Sequence, residues 1–152
     1  KSRERAQSEF SCIKKRLQAL PEELIQKLIQ SDIQTTKIIT FIACMVTDRL
    51  LFELMYEVYR NKVHYGEENI TDADLNIFMN DKRDQSEKMA GFSDLTIRKL
   101  KQNYSKYMFE TGLISGKTSE KKIEHLYIDT DIRDILLRNQ MEKYYYALTG
   151  EM

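Results

Sequence analysis

Residues 93–128 read SDLTIRKLKQNYSKYMFETGLISGKTSEKKIEHLYI, and this stretch decides the fold. Ser93 is a good N-cap, because its hydroxyl can accept from one of the unpaired amides of a first helical turn. At about 100° per residue, Ile97, Leu100, Tyr104, Tyr107 and Met108 fall on one side of a helix over 94–111. Arg98, Lys99, Gln102 and Lys106 fall on the other. Gly112 suits the left-handed turn that closes many helices. Leu113 and Ile114 predict a short strand, 115–122 a polar, lysine-bearing loop, and 123–128 a returning strand with alternating character.

Outward from this core, Thr71 and Asp74 have the spacing of a capping box, followed by the apolar face of Leu75, Phe78 and Met79. A short helix is expected around 85–90, closed by Gly91. The order from 71 to 128 is then helix, short helix, longer helix, strand, basic loop, strand. A winged helix has that order, with one helix entering the major groove.

Further upstream, 3–20 reads as a basic helix with Phe10, Ile13, Leu17 and Leu20 on one face. Pro21 suits the first turn of a second helix, with Leu24, Ile25, Leu28 and Ile29 as its buried stripe. Residues 38–46, IITFIACMV, predict a helix at the centre of a core. Thr47 or Asp48 can cap the next helix, carrying Leu50, Leu51, Leu54, Met55, Val58 and Tyr59. Downstream, Thr130 is read as the cap of one last helix holding Ile132, Ile135, Leu136, Met141, Tyr145 and Leu148. With one proline and five glycines in 152 residues, long helices should dominate. The expected fold is mainly α: a multi-helix bundle packed on a C-terminal winged-helix-like subdomain with a small β-hairpin. The expected division is 1–66 and 67–152. The chain starts at Lys1 in sequence that already reads as helix, so a preceding native segment is expected.

Charge directs attention to the same stretch. The whole chain has 24 basic and 24 acidic residues, so no global electrostatic argument for nucleic acid exists. Between 93 and 122, however, seven basic residues (Arg98, Lys99, Lys101, Lys106, Lys117, Lys121 and Lys122) face only Asp94, Glu110 and Glu120. Lysines on a wing can reach phosphates, while Arg98 and Gln102 have donor geometry suited to base edges. The competing reading is a solvated lysine face, which many amphipathic helices carry without binding anything.

Other chemistry is poorly represented. Cys12 and Cys44 suggest two reduced thiols, neither a disulfide framework nor a zinc site. His64 and His125 lack companions at metal-ligand spacing. No phosphate-loop or dinucleotide glycine pattern occurs, and no serine or cysteine has an evident base. The expectation is a non-enzymatic cytoplasmic protein with no cofactor, metal or small-molecule substrate. The longest apolar run is nine residues, against about twenty for a spanning helix, so no membrane association is expected.

Three stretches carry a family resemblance: KSRERAQSEFSCIKKRLQALPEELIQKLI at 1–29, TTKIITFIACMVTDRLLFELMYEVYRNKVHYGEENITDADLNIFM at 35–79, and GFSDLTIRKLKQNYSKYMFETGLIS at 91–115. The chain resembles the BrxA family, small proteins encoded in bacteriophage-exclusion (BREX) gene clusters. Phe92 stands where the family has tryptophan. The likeness weakens after about Gly116. Residues Ser93, Thr96, Arg98, Lys99 and Leu100, then Gly112, Leu113 and Ile114, are its most diagnostic part. The resemblance implies helix-turn-helix and winged-helix modules, double-stranded DNA binding, and a role in phage defence beside other BREX components. It also implies a further N-terminal helical segment. The candidate DNA contacts are Arg3, Arg5, Lys14, Lys15, Arg16, Thr96, Arg98, Lys99, Gln102, Lys106, Lys117, Lys121 and Lys122. The alternative function is a protein-interaction adaptor using the aromatic C-terminal helix with Tyr144, Tyr145 and Tyr146, or the Met-containing helices.

Overall fold

The computed structural model describes residues 2–116 and 119–152, so Lys117 lies outside the described residues. The chain is mainly α, with a small three-stranded antiparallel sheet. In chain order come α1 (Ser2–Gln18), α2 (Glu22–Gln30), α3 (Ile33–Thr47), α4 (Arg49–Leu54), a π-helical turn (Met55–Tyr59), α5 (Arg60–His64) and β1 (Asn69–Thr71). Then follow α6 (Asp72–Gln85), α7 (Glu87–Ala90), α8 (Asp94–Thr111), β2 (Ile114–Ser115), β3 (Glu120–Ile123), α9 (Thr130–Arg138) and α10 (Glu142–Thr149). Two compact units result: Lys1–Phe52 with Ile128–Tyr145, and Glu53–Tyr127 with Tyr146–Met152. No helix among the described residues is long and apolar enough to cross a membrane.

In the first unit α3 is the core element. Asp32 caps it by accepting from the Thr35 amide at 3.0 Å, and Ile38, Ile39, Phe41, Ile42 and Met45 are all buried as their spacing predicts. Burial also pushes the Cys44 thiol up. Both α1 and α2 pack on α3, and α9 packs on α2. Lys27 ties the last two together, its Nζ 2.9 Å from Asp129 and 3.1 Å from Asp131. The α1 stripe differs from the expectation of a buried face: Phe10 is 67% exposed and Ile13 55%. Helical spacing decides which side chains share a face, and it does not decide what that face meets.

The last expected helix is two. Asp129, not Thr130, caps α9 by accepting from the Asp131 amide. The helix then ends because Gln140 adopts φ +56° and the Met141 amide turns back to the Leu136 carbonyl at 2.8 Å. This is a Schellman-type closure without the customary glycine, so the sequence carried no stop signal.

In the second unit the local signals act as their chemistry dictates. The Thr71 hydroxyl accepts from the Asp74 amide at 3.2 Å while Asp74 accepts from the Thr71 amide at 2.7 Å, the reciprocal pair of a capping box. Ser93 accepts from the Thr96 amide at 3.2 Å, and Gly112 closes α8 at φ +85°. Ile97, Tyr104 and Met108 are buried on the predicted face.

The sheet corrects the hairpin expected from sequence. The returning strand is 120–123, not 123–128, and it is the central strand of the order β1-β3-β2. Ile123 pairs with Ile114, and Ile70 of β1 pairs with Lys121. Two flanking strands satisfy the backbone of β3, which lets the polar run Glu-Lys-Lys become strand despite modest β-propensity. Only its last residue needs to be apolar.

Candidate nucleic-acid interface

The second unit gathers polar side chains from three elements around one groove of about 370 Å³. The start of α6 gives Asp72, Leu75 and Asn76. The middle of α8 gives Arg98, Lys101, Gln102 and Ser105, and the hairpin gives Ser119 and Lys121. The junction of α6 with the hairpin is fixed by the backbone, since the Asp72 amide donates to the Ser119 carbonyl at 2.8 Å. Tyr59 braces the base of the hairpin: its hydroxyl is 3.3 Å from both the Leu113 and the Glu124 carbonyl oxygens. Burial pushes that phenol far above its usual range, so it stays a donor at any ordinary pH.

Three expected contact residues therefore converge here: Arg98, Gln102 and Lys121. Lys99 and Lys106 are exposed on α8 but do not line the groove. Lys106 lies 3.7 Å from Glu110, an exposed pair worth little. Thr96 is exposed and shares a hydrogen bond of 2.9 Å with the Ser93 hydroxyl, so it belongs to the helix cap. The two hairpin lysines part company because neighbours on a strand point to opposite faces. Lys121 lies on the face of Ile123, its stem sheltered, with its side chain 15% exposed and its ammonium 2.8 Å from Asp72. Lys122 faces the other way at 65% exposure, 4.0 Å from Glu124. Both are in β3, not in the loop expected to carry them.

The basic residues of α1 belong to the other compact unit. Arg3, Arg5, Lys14 and Lys15 are exposed there and Arg16 is half-buried; Arg5 pairs with Glu9 at 2.9 Å.

The other six lining residues, Asp72, Leu75, Asn76, Lys101, Ser105 and Ser119, are not among the contacts expected from sequence. Lys101 donates to Asn76 Oδ1, and Ser105 and Ser119 add hydroxyls. Lys101 was visible in the local charge excess. Asn76 and Ser119 carried no signal, since their role depends on α6 and the hairpin meeting beside α8. Among the described residues, Arg98 and Lys99 have no carboxylate within salt-bridge distance. Chemically the surface offers free guanidinium and ammonium groups beside amides and hydroxyls, a donor-rich set suited to phosphate oxygens and base edges.

Comparison with known proteins gives this surface a context. A model of the BrxA family matches residues 1–140. The chain belongs to the BrxA family. A curated relative from Bacillus cereus (strain H3081.97), described as BREX protein BrxA, is 40% identical over 122 residues. The matched part is 80% of this chain but 61% of the relative, so the chain spans about three fifths of that family member's length. Both the groove-lining segments of α6 and α8 and the hairpin fall inside the region that the family model matches.

Proposed function

We propose that this BrxA-family chain is a non-enzymatic, double-stranded DNA-binding component of a BREX phage-defence system. In this reading α8 is the recognition helix of a winged-helix-like module and β2–β3 its wing. The observation that carries it is the exposed side of α8, where Arg98, Lys99 and Gln102 stand beside the groove that also holds Lys101 and Lys121. Arg98 suits bidentate contact with guanine O6 and N7, and Gln102 with adenine. Lys99, Lys101 and Lys121 suit phosphates, and Lys106 and Lys122 suit a more peripheral part of the backbone. The α1 cations Arg3, Arg5, Lys14, Lys15 and Arg16, and Lys117, complete the proposed contact set.

The test is a gel shift of linear duplex by Arg98→Ala with Lys106→Ala. We expect about tenfold weaker binding, the loss of one good base contact plus a screened phosphate contact. Affinity equal to the unsubstituted chain removes α8 from the interface.

One observation favours a second reading, an adaptor that joins components of a defence assembly. The α1 stripe presents Phe10, Ile13 and Leu17 to solvent, and exposed apolar patches commonly mark protein contacts. The aromatic C-terminal helix supports the adaptor less. Tyr144 is buried edge-on to Phe52 with ring centroids 5.0 Å apart, and Tyr145 and Tyr146 are half-buried. Absence of duplex binding at low salt, together with co-purification of a BREX component lost on Phe10→Ser, would favour this reading.

A further inference from the structure

Asp72 stands at the first position of α6, and its carboxylate takes no part in the capping box of that helix. Thr71 and Asp74 already cap the helix, and the Asp72 backbone amide, not its side chain, fastens the hairpin through Ser119. The carboxylate instead holds Lys121, with Oδ1 and Nζ 2.8 Å apart. The two partners differ in freedom. Lys121 is 15% exposed along its side chain and anchored in β3, whereas Asp72 is 57% exposed. Arg98 and Lys101 line the same groove, and Asp72 is the one acid among its described lining residues.

We propose that Asp72 is an electrostatic brake on duplex binding. It occupies the Lys121 ammonium in the free protein and releases it, by rotating into solvent, when a backbone phosphate of a duplex enters the groove. The inference rests on the reading of this groove as a phosphate-binding surface. A phosphate oxygen offers Lys121 the same charge and the same acceptor chemistry as the carboxylate. It also gains the attraction of Arg98 and Lys101, while an Asp72 left in place repels it. The exchange breaks one ion pair and forms another, so each binding event carries a penalty that a neutral side chain at 72 would not impose.

The experiment compares linear duplex binding by the full chain and by Asp72→Asn across a salt series. Asp72→Asn keeps the size of the side chain and is expected to bind about three- to tenfold tighter. Its slope of log affinity against log salt should match the parent's, because Lys121 meets a phosphate in both proteins and only the cost of freeing it differs. Glu87→Gln makes the same change in formal charge on α7, outside the groove, and is expected to stay within about twofold of the unsubstituted chain. In a Lys121→Gln background the gain from Asp72→Asn should shrink to less than about twofold, because the two residues act as one unit.

Three outcomes overturn the brake. Weaker binding by Asp72→Asn would make the carboxylate a strut that positions Lys121. An equal gain from Glu87→Gln would reduce the effect to net charge. A gain undiminished by Lys121→Gln would uncouple the pair. If Asp72→Asn does not fold, Asp72→Ser, which keeps a polar residue at the helix start, answers the same question. A parent chain that binds duplex while Asp72→Asn merely equals it loses the brake and keeps the groove. If neither binds at low salt, the reading of the groove fails along with it.

Discussion

In the proposed interface Arg98 has the most to contribute among the exposed cations of α8, since among the described residues no carboxylate competes for it and it borders the groove. Lys106 shares its charge with Glu110, and Lys121 with Asp72. Truncating Arg98 alone should therefore account for most of the loss seen in the double substitution, measured by gel shift of each single variant. Its thermal midpoint should stay within about 0.5 kcal/mol equivalent of the parent, because exposed side chains without partners add little to stability. Asp74 behaves differently. Burial works to raise its carboxyl, but hydrogen bonds from the Thr71 backbone and hydroxyl and from Lys62 outweigh it and hold the group below its usual value. A lowered folded-state value means that stability is present above the unfolded pKa and lost as pH falls through the folded one. Asp74→Asn should cost about 1 kcal/mol near neutrality, the size of a lost cap. The gap between variant and parent in urea unfolding should close below about pH 4. A constant gap from pH 7 to 3 would show that the charge of Asp74 does not matter.

The elements show what a sequence can and cannot disclose. The capping box at Thr71, the cap at Ser93 and the stop at Gly112 were all legible, because each depends on chemistry within a few residues. The core face of α8 and the burial of α3 were legible from period and hydrophobicity. Less legible was anything set by distant partners. Strand β3 is strand because β1 and β2 flank it, and Asn76 reaches the groove because α6 lies beside α8. The left-handed Gln140 and the π turn at Met55–Tyr59 were invisible because neither uses a residue type that announces it. The π turn ends on Tyr59, whose hydroxyl then meets the hairpin base. Tyr59→Phe should cost about 1 kcal/mol and speed hydrogen exchange at the amides of Ile123 and Glu124. Unchanged exchange there would mean that the brace is incidental. Gly112→Ala should cost about 1 kcal/mol or more in thermal unfolding, since an L side chain at φ +85° is strained.

Across the molecule, electrical neutrality hides an uneven distribution. The compact unit that carries α8 has twelve basic and fourteen acidic residues, a net −2, although its 93–122 segment carries an excess of four positive charges. The acids elsewhere in that unit are partly spent on structure: Glu53 and Glu57 hold Lys82 at 2.9 and 2.7 Å, and Glu67 and Asp74 hold Lys62 at 2.5 and 3.3 Å. A polyanion approaching this unit meets attraction over a limited area and repulsion beyond it, so contacts should be few. The most direct measurement is the affinity of the chain for linear duplex DNA across a salt series. Engagement of about three to five phosphates predicts a straight line of log affinity against log salt with a slope of about −2.7 to −4.5. An affinity that does not respond to salt, or no duplex binding even at low salt, would contradict an interface built on Arg98 and the lysines around it.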